Sequence, residues 1–256
     1  MISRTGQAVA LMRASMSRPY TQDGDPDAQV RMVAGMTPIR TVRAGIAART
    51  QFFDAQVLAA LNRGVRQVVV CGAGYDDRAL RFRTPGVRFF ELDQPSTQAD
   101  KRARLTAFGA DTSGLTFVPA DFRLDDVADV LTRAGHDANL PSVILTEGLL
   151  VYLTRADGAQ LLGGLRRCAG PGSTLVASLG LAPVGMSPQT AVAVANARRR
   201  NGVDEPWVTI LAREDYLEEL RRCGWDPRVT RDAADLEPTA PRDKACLVAA
   251  SPLDPA

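Results

Sequence analysis

Residues 66–93 read RQVVVCGAGYDDRALRFRTPGVRFFELD, and this stretch decides the fold. A β-branched run at 66–71 leads into a glycine turn, and a second run follows at 87–93. The two runs start about 20 residues apart, which is the length of a unit made of one strand and one helix. The stretch therefore predicts two neighbouring parallel strands joined by a helical crossover.

The same pattern continues along the chain. Strand-like runs follow at 115–121, 141–147 and 173–179, with weaker candidates at 226–231 and 245–250. Several of these runs are apolar without alternation, as expected of strands that are buried on both faces. We predict a Rossmann-like α/β fold, in which a seven-stranded, mainly parallel sheet has helices on both faces.

Residues 1–256 are interpreted as a single domain with two additions. Residues 1–50 are predicted to be a helical cap, interrupted around 19–26 and at Pro38, and residues 181–210 an insertion with a helix at 189–200. In open α/β sheets ligands bind at the carboxyl ends of the strands, where extra segments can cover them. We therefore expect a cap and a lid over the ligand site.

Three helices have recognisable ends. Asp54 is predicted to cap a helix at 55–63 that stops at Gly64. Thr154 and Asp157 resemble a capping box that opens another helix, and an amphipathic helix at 213–222 closes at Gly224.

Composition limits the class of protein. The 256 residues are 45% hydrophobic with a net charge of +2, which indicates no general nucleic-acid or membrane surface. No apolar run approaches the ~20 residues of a spanning helix, and we expect a cytoplasmic protein with a small-molecule substrate. Only two of the 31 bases, Lys101 and Lys244, are lysine, a bias typical of GC-rich bacterial genomes. The 4 cysteines have no C-x-x-C spacing, so we expect no metal site; the oligomeric state is left open.

Glycines and acids follow the predicted strands. Gly72 and Gly74 come after the first strand, and Asp93, Asp121 and Glu147 end or follow the next three. Because parallel strands end at one edge of a sheet, these residues can converge on one ligand. Asp93 lies about 20 residues after Gly74, the spacing at which an acid meets a ribose hydroxyl.

Two interpretations of the glycine turn remain open at this point. A lone G-x-G also occurs in an ordinary tight turn between a strand and a helix. An NAD-dependent oxidoreductase has the same kind of parallel sheet, with a glycine turn in the same place. The dinucleotide fingerprint requires a third glycine where this chain has Asp77. Asp76 and Asp77 would also repel a pyrophosphate, whereas the sulfonium cation of S-adenosylmethionine suits an acid-rich pocket.

Four stretches occur together in a characteristic order. They are RTQFFD at 49–54, RQVVVCGAGYDDRALR at 66–81, FFELDQP at 89–95 and EGLLVYL at 147–153. Over about residues 40–180 the chain resembles the leucine carboxyl methyltransferase family, which includes bacterial polyketide carboxyl O-methyltransferases. The resemblance implies a class I S-adenosylmethionine-dependent O-methyltransferase, with a role in secondary metabolism as one expectation.

The resemblance also assigns cofactor-binding residues. Arg49 would pair with the methionyl carboxylate, Asp93 with the ribose hydroxyls, Asp121 with the adenine, and Glu147 would lie near the methionyl amine and the sulfonium. The complete set that it implies is Arg49, Gly72, Ala73, Gly74, Asp93, Asp121, Phe122, Glu147 and Gly148.

The methyl acceptor is less defined. The only histidine, His136, is predicted to lie in a surface loop before the fourth strand, at the edge opposite the ligand site. Without an obvious general base, a carboxylate is favoured over a hydroxyl, because a carboxylic acid is already ionised at neutral pH. A hydroxyl O-methyltransferase and a non-catalytic S-adenosylmethionine-binding protein stay open as alternatives.

Tyr20, Arg78 and Tyr152 are candidate substrate residues, and no catalytic residue is assigned. Arg78 has a second interpretation, as a structural partner of Asp76 below the glycine turn. Arg18 and the arginines at 198–200 are further candidates for receiving an anionic acceptor.

Overall fold

The computed structural model describes residues 3–37, 43–199 and 205–253. Its strands are β1 (Gln67–Cys71), β2 (Arg88–Asp93), β3 (Leu115–Pro119), β4 (Ser142–Thr146), β5 (Thr174–Gly180), β6 (Trp225–Asp232) and β7 (Ala245–Pro252). Its helices are α1 (Arg4–Ala14), α2 (Ala28–Met32), α3 (Arg43–Asn62), α4 (Arg78–Arg81), α5 (Pro95–Ala107), α6 (Val127–Arg133), α7 (Arg155–Arg167), α8 (Pro188–Arg199), α9 (Arg213–Arg222) and α10 (Ala233–Leu236), with a 3₁₀ helix at Leu150–Tyr152. None of the helices in these three ranges combines the length and the apolarity that crossing a bilayer requires.

The strands form one seven-stranded sheet in the order β3-β2-β1-β4-β5-β7-β6. Pairs among β1 to β5 are parallel, and β7 lies antiparallel between β5 and β6. The predicted fold class is confirmed, including both weaker strands. The order reverses between β1 and β4, which creates the crevice where open α/β sheets bind ligands.

Strand β1 explains why the sheet is covered on both sides. All five of its residues are buried. Val68 and Val70 pack in a core cluster with Phe53 of α3, while Val69 and Cys71 belong to the cluster on the other face. Successive side chains of a strand point to opposite faces, so a strand that is buried at every position needs a helix layer on each side.

Residues 1–50 contain α1, α2 and the start of α3, in line with the predicted helical content, but one helix start was wrong. Helix α3 begins at Arg43 and continues to Asn62, so Asp54 lies inside it and does not cap it. The Asp54 side chain is 2% exposed and accepts hydrogen bonds from Arg78 Nε at 2.7 Å and from Arg81 Nη2 at 3.0 Å. These buried bonds outweigh the local preference of aspartate for a helix start. The predicted break at Pro38 lies outside the described residues.

The other predicted helix ends are confirmed. The Thr154 hydroxyl accepts from Asp157 N and opens α7, and Gly224 follows α9 with φ 85°. The insertion contains α8 as predicted, with Arg200 outside the described residues. A backbone bridge between Leu181 and Leu211 closes the base of the insertion.

Candidate active site

The carboxyl ends of β1, β2, β3 and β4 lie along one edge of the sheet, because these four strands are parallel neighbours. The glycine turn follows β1, Asp93 ends β2, and Glu147 directly follows β4. The structure therefore brings the predicted strand-end residues to one edge. Their roles toward a ligand are a separate question, which rests on the local geometry.

The turn after β1 needs its glycines. Gly72 and Gly74 have φ of 67° and 50°, in the left-handed region that favours glycine. A Cβ at position 72 would lie 3.1 Å from Leu149 Cδ1. Ala73, between them, is buried and donates its N–H to the carbonyl of Leu92 at 3.1 Å. The turn is thus a fixed backbone surface beside β2.

Asp93 faces this turn from the end of β2. Its Oδ2 accepts from Gly74 N at 2.6 Å and its Oδ1 from Gln94 N at 2.7 Å. Burial raises the pKa of Asp93 above its ordinary value, although both backbone bonds lower it. Each carboxylate oxygen has two lone-pair directions, so Asp93 can still accept from a pair of ligand hydroxyls.

Glu147 is surrounded by guanidinium groups. Its Oε1 lies 2.5 Å from Arg13 Nη2 and 2.8 Å from Arg49 Nε, and its Oε2 lies 2.8 Å from Arg78 Nη1. Burial alone would raise the pKa of Glu147, but the three arginines hold it far below its usual range. Glu147 is therefore ionised at neutral pH and poorly suited to act as a general base.

Arg49 is the most accessible of these three arginines, with a side chain that is 21% exposed. Its guanidinium lies over Gly148, where a Cβ would come within 3.0 Å of Arg49 Nη1. Gly148 has φ 68° and donates its N–H to Ser178 Oγ at 2.7 Å. The left-handed φ favours glycine here, and a side chain at this position would also crowd the Arg49 cation next to the end of β4.

Comparisons with known proteins identify the family of this chain. The family model described as leucine carboxyl methyltransferase matches residues 5–166. This chain belongs to the leucine carboxyl methyltransferase family. A protein of Mycolicibacterium gilvum named "Putative S-adenosyl-L-methionine-dependent methyltransferase" is 35% identical over 208 residues, covering 79% of this chain and 67% of the relative. A Mycobacterium tuberculosis H37Ra protein of the same name is 30% identical over 227 residues, covering 86% and 72%.

Solved structures support the fold of this leucine carboxyl methyltransferase family member. A crystal structure titled as a putative methyltransferase from Thermobifida fusca has a TM-score of 0.63 at 16% identity, covering 97% of this chain and 94% of that one. Magnesium protoporphyrin IX methyltransferase from Synechocystis, solved with bound S-adenosylhomocysteine, has a TM-score of 0.56 at 14% identity, covering 88% and 92%. At these identities the likeness concerns the fold alone.

As a member of this family, the protein is an S-adenosylmethionine-dependent methyltransferase. The residues at the strand ends fit that cofactor chemically. The cradle between Arg49 and Gly148 presents a cation to a carboxylate, and Asp93 offers acceptors to a ribose. Family membership also decides against the NAD-dependent alternative.

The predicted adenine contacts lie just beyond β3. Asp121 accepts from both Nε and Nη2 of Arg123, at 2.9 and 2.6 Å. Phe122 is buried in the core cluster that includes Leu150. Asp121 is thus already bonded to a side chain that is 58% exposed, and an adenine amine would share it or displace Arg123.

Arg78 does not fit the substrate role proposed for it. Its side chain is 1% exposed and bonds Asp54, Asp76 and Glu147, at 2.7, 2.6 and 2.8 Å. The guanidinium is closed off from solvent and has three carboxylate partners, which favours a structural role, although its Nη2 has no hydrogen-bond partner. The alternative interpretation, a structural partner of Asp76 below the glycine turn, is confirmed.

The other acceptor candidates differ in position. Tyr20 is 57% exposed, and its neighbours Pro19 and Thr21 bond Arg81 of α4; its substrate role stays a prediction. Tyr152 is half-buried in the 3₁₀ helix that follows Glu147, close along the chain to the site. Arg18 pairs with Asp77 through two bonds of 2.8 Å. The side chains of the arginines at 198–200 lie outside the described residues.

His136 lies at the opposite edge of the sheet, as predicted, but it is not a surface residue. It is 6% exposed, its Nε2 lies 2.9 Å from Ser142 Oγ at the start of β4, and its ring meets Phe90 edge-on. Burial lowers the pKa of His136. The prediction of an exposed loop was wrong because the loop folds back over the amino-terminal ends of β2 and β4.

Two contacts near the site escaped the sequence analysis. Arg13 reaches from α1 to Glu147 and to Asp76 Oδ2 at 3.2 Å, so the cap is bonded directly to the strand-end cluster. Lys101 of α5 is buried against Glu91 of β2. Neither contact has a local sequence signal, although a charged residue in a buried strand, as at Glu91, indicates that some partner exists.

Proposed function

We propose that the protein transfers the methyl group of S-adenosylmethionine to an oxygen of a small organic molecule, and that this oxygen belongs to a carboxylate. The observation that carries the proposal is the charge around the site. Among the described residues, five arginines meet four carboxylates in one buried network: Arg13, Arg18, Arg49, Arg78 and Arg81 with Asp54, Asp76, Asp77 and Glu147. The network has one positive charge in excess; with Arg49 pairing with the methionyl carboxylate, this charge and the sulfonium of the bound cofactor together favour an acceptor that is anionic.

A second argument is the protonation of the groups at the strand ends. A general base works best with a pKa near the operating pH. Glu147 and Asp77 have pKa values held far below their usual range by arginines, and His136 is buried at the other edge. A carboxylate acceptor is already ionised at neutral pH and requires no base. A phenol, with a pKa of about 10, requires a base to remove its proton.

When bound, S-adenosylmethionine supplies an electrophilic methyl group on a sulfonium. The work that remains for the protein is to orient the acceptor and to exclude water. The cap and the insertion meet beside the site, where Ser3 Oγ donates to Glu205 Oε2 at 3.3 Å. Gly6 of α1 also lies against the glycine turn, with its Cα 3.7 Å from where a Cβ at Gly74 would be. These contacts support a role for both segments in covering the reacting groups.

Methyl transfer from labelled S-adenosylmethionine to a panel of aromatic and aliphatic acids, with matched phenols and alcohols, tests the proposal. We expect labelled products from acids, and we expect mild alkali to release the label as methanol, because methyl esters hydrolyse under conditions in which methyl ethers and N-methyl groups survive. Label that stays on the product through alkali would contradict a carboxylate acceptor. A matched phenol that is methylated faster than its acid would favour the hydroxyl alternative.

A further inference from the structure

A buried ion pair lies directly under the glycine turn. Lys101 Nζ is 2.5 Å from Glu91 Oε2, and both side chains are 1% exposed. The same ammonium donates to the backbone carbonyl of Asp76 at 2.6 Å. One side chain of α5 therefore joins β2 to the descending half of the turn, residues 75–77, which leads into α4.

Burying this ion pair contributes little net stability to the core. Desolvation of two charges often cancels their attraction, so apolar residues of the same volume can be equally stabilising. The position is also distinctive, because Lys101 is one of only two lysines among 31 bases. An ammonium is a compact charge with three donors, whereas a guanidinium is a planar fork. A lysine can therefore bond a carboxylate and a carbonyl together in a narrow space.

The backbone of the turn shows what this lysine holds. On the ascending side, Gly72 N donates to Leu92 O at 2.9 Å and Gly74 N to Asp93 Oδ2 at 2.6 Å, so β2 anchors that half. On the descending side the carbonyls of Tyr75 and Asp76 accept from side chains, Gln29 Nε2 at 3.1 Å and Lys101 Nζ. Gln29 and Lys101 therefore anchor the descending side of the turn, and Lys101 is the charged donor of the two.

Helix α5 begins at Pro95, two residues after Asp93, so Lys101 and Asp93 belong to one continuous segment. Glu91 and Asp93 are two residues apart on β2, and such residues share a face of a strand. The pair Lys101–Glu91 thus holds the descending side of the turn against the strand that carries Asp93, while the bond from Gly74 N to Asp93 Oδ2 holds the other side.

We propose that Lys101, through its bonds to Glu91 and to the Asp76 carbonyl, is a positioning residue that holds the glycine turn at the separation from Asp93 that S-adenosylmethionine requires. The proposal rests on the assignment of Gly74 and Asp93 to the cofactor.

The ionisation of Glu91 makes the strength of this ion pair depend on pH. Burial raises the pKa of Glu91 to about 7, against the opposing charge of Lys101, and the carboxylates of Asp76 on the turn and Asp93 on the same strand raise it further. The ion pair is complete only above this pH. When Glu91 takes up a proton, the ammonium keeps the Asp76 carbonyl but loses its charged partner, and the anchor weakens.

The test compares S-adenosylhomocysteine binding by calorimetry in three proteins after their folding has been checked by circular dichroism. The first is wild type, the second the double variant Glu91→Leu/Lys101→Met, which removes both charges at similar volume. The third is a control, Arg155→Met/Glu219→Gln, which removes the pair that joins α7 to α9 at 2.7 Å. We expect the first double variant to bind about tenfold more weakly or worse, as for loss of a charge-assisted contact, and the control to bind as wild type. Hydrogen exchange of residues 72–78 should accelerate only in the first.

A folded Glu91→Leu/Lys101→Met protein with wild-type affinity and wild-type exchange would overturn the proposal. Should that variant fail to fold, Glu91→Gln decides, because it keeps the shape and the bond to Lys101. As the pH falls from 8 to 6, wild-type affinity for S-adenosylhomocysteine should fall toward that of Glu91→Gln, whose own affinity should not change with pH. If the affinities of the two proteins change in parallel with pH, the proposal is overturned equally. Asp93→Ala serves as the reference: if it too binds normally, the cofactor assignment itself is wrong.

Discussion

Replacing Asp93 with alanine tests the cofactor assignment at its most specific residue. The carboxylate accepts from Gly74 N and Gln94 N, and its remaining lone pairs are the ones that can face a ribose. Losing a charged acceptor costs about 1.5–3 kcal/mol, which corresponds to a roughly 10- to 150-fold weaker complex. The same change frees two backbone N–H groups, so we also expect a loss of stability of about 1–3 kcal/mol.

Asparagine at the same position separates these effects. An Asn side chain has one acceptor oxygen, so it can satisfy either Gly74 N or Gln94 N, and its NH₂ group meets the other donor. We therefore expect Asp93→Asn to lose affinity for S-adenosylhomocysteine although its volume is unchanged. The assay is calorimetry at a temperature where urea unfolding shows each variant to be more than 95% folded, a threshold of about 2 kcal/mol of stability at 25 °C.

The control for general damage is Arg155→Met/Glu219→Gln, which lies between α7 and α9 and should bind as wild type. Asp121→Ala is a second test of the site: it should weaken binding through the adenine and leave the turn after β1 intact. If Asp93→Ala and Asp93→Asn are folded and bind S-adenosylhomocysteine as wild type does, the ribose assignment is refuted, even though the family is established.

Four other changes have defined outcomes. Arg49→Ala leaves Glu147 with two arginines, so the protein should fold but bind S-adenosylhomocysteine more weakly by calorimetry; normal binding would remove Arg49 from the carboxylate contact. Arg78→Met leaves buried carboxylates uncompensated and should cost about 3–5 kcal/mol in urea unfolding, and a loss below 1 kcal/mol would contradict its structural role. His136→Ala should keep turnover within a few-fold of wild type, whereas a drop of about 10²–10⁴ would indicate a general base. The raised pKa of Glu91 favours its neutral form in the fold, so wild type should lose about 3 kcal/mol relative to Glu91→Gln as pH rises from 4.5 to 7; an equal difference at pH 4 and pH 8 would contradict this sign.

The strands and the strand-end residues could be predicted because their signals are local. A run such as β1, in which Gln67 is followed by four apolar residues, has few stable places outside a covered sheet. Glycines with positive φ, as at Gly72 and Gly74, mark a turn that other residues rarely adopt. The chain order of these signals then implies the edge at which Asp93 and Glu147 meet.

The errors concern charges whose partners are distant in sequence. Asp54 has the local signature of a helix cap, but its partners are 24 and 27 residues away, at Arg78 and Arg81. Arg78 was a candidate for substrate contact because a lone arginine near a glycine turn resembles a ligand, and its burial depends on three elements at once. His136 was placed at the correct edge but in solvent, because the contacts with Phe90 and Ser142 arise only when the sheet forms.

A crystal structure with S-adenosylhomocysteine tests the central claim most directly. We predict that both ribose hydroxyls lie within hydrogen-bonding distance of Asp93, that the methionyl carboxylate contacts Arg49 over Gly148, and that the sulfur points toward the space under the cap. A ribose bound away from the end of β2, or a carboxylate held by groups other than Arg49, would contradict the site described for this methyltransferase.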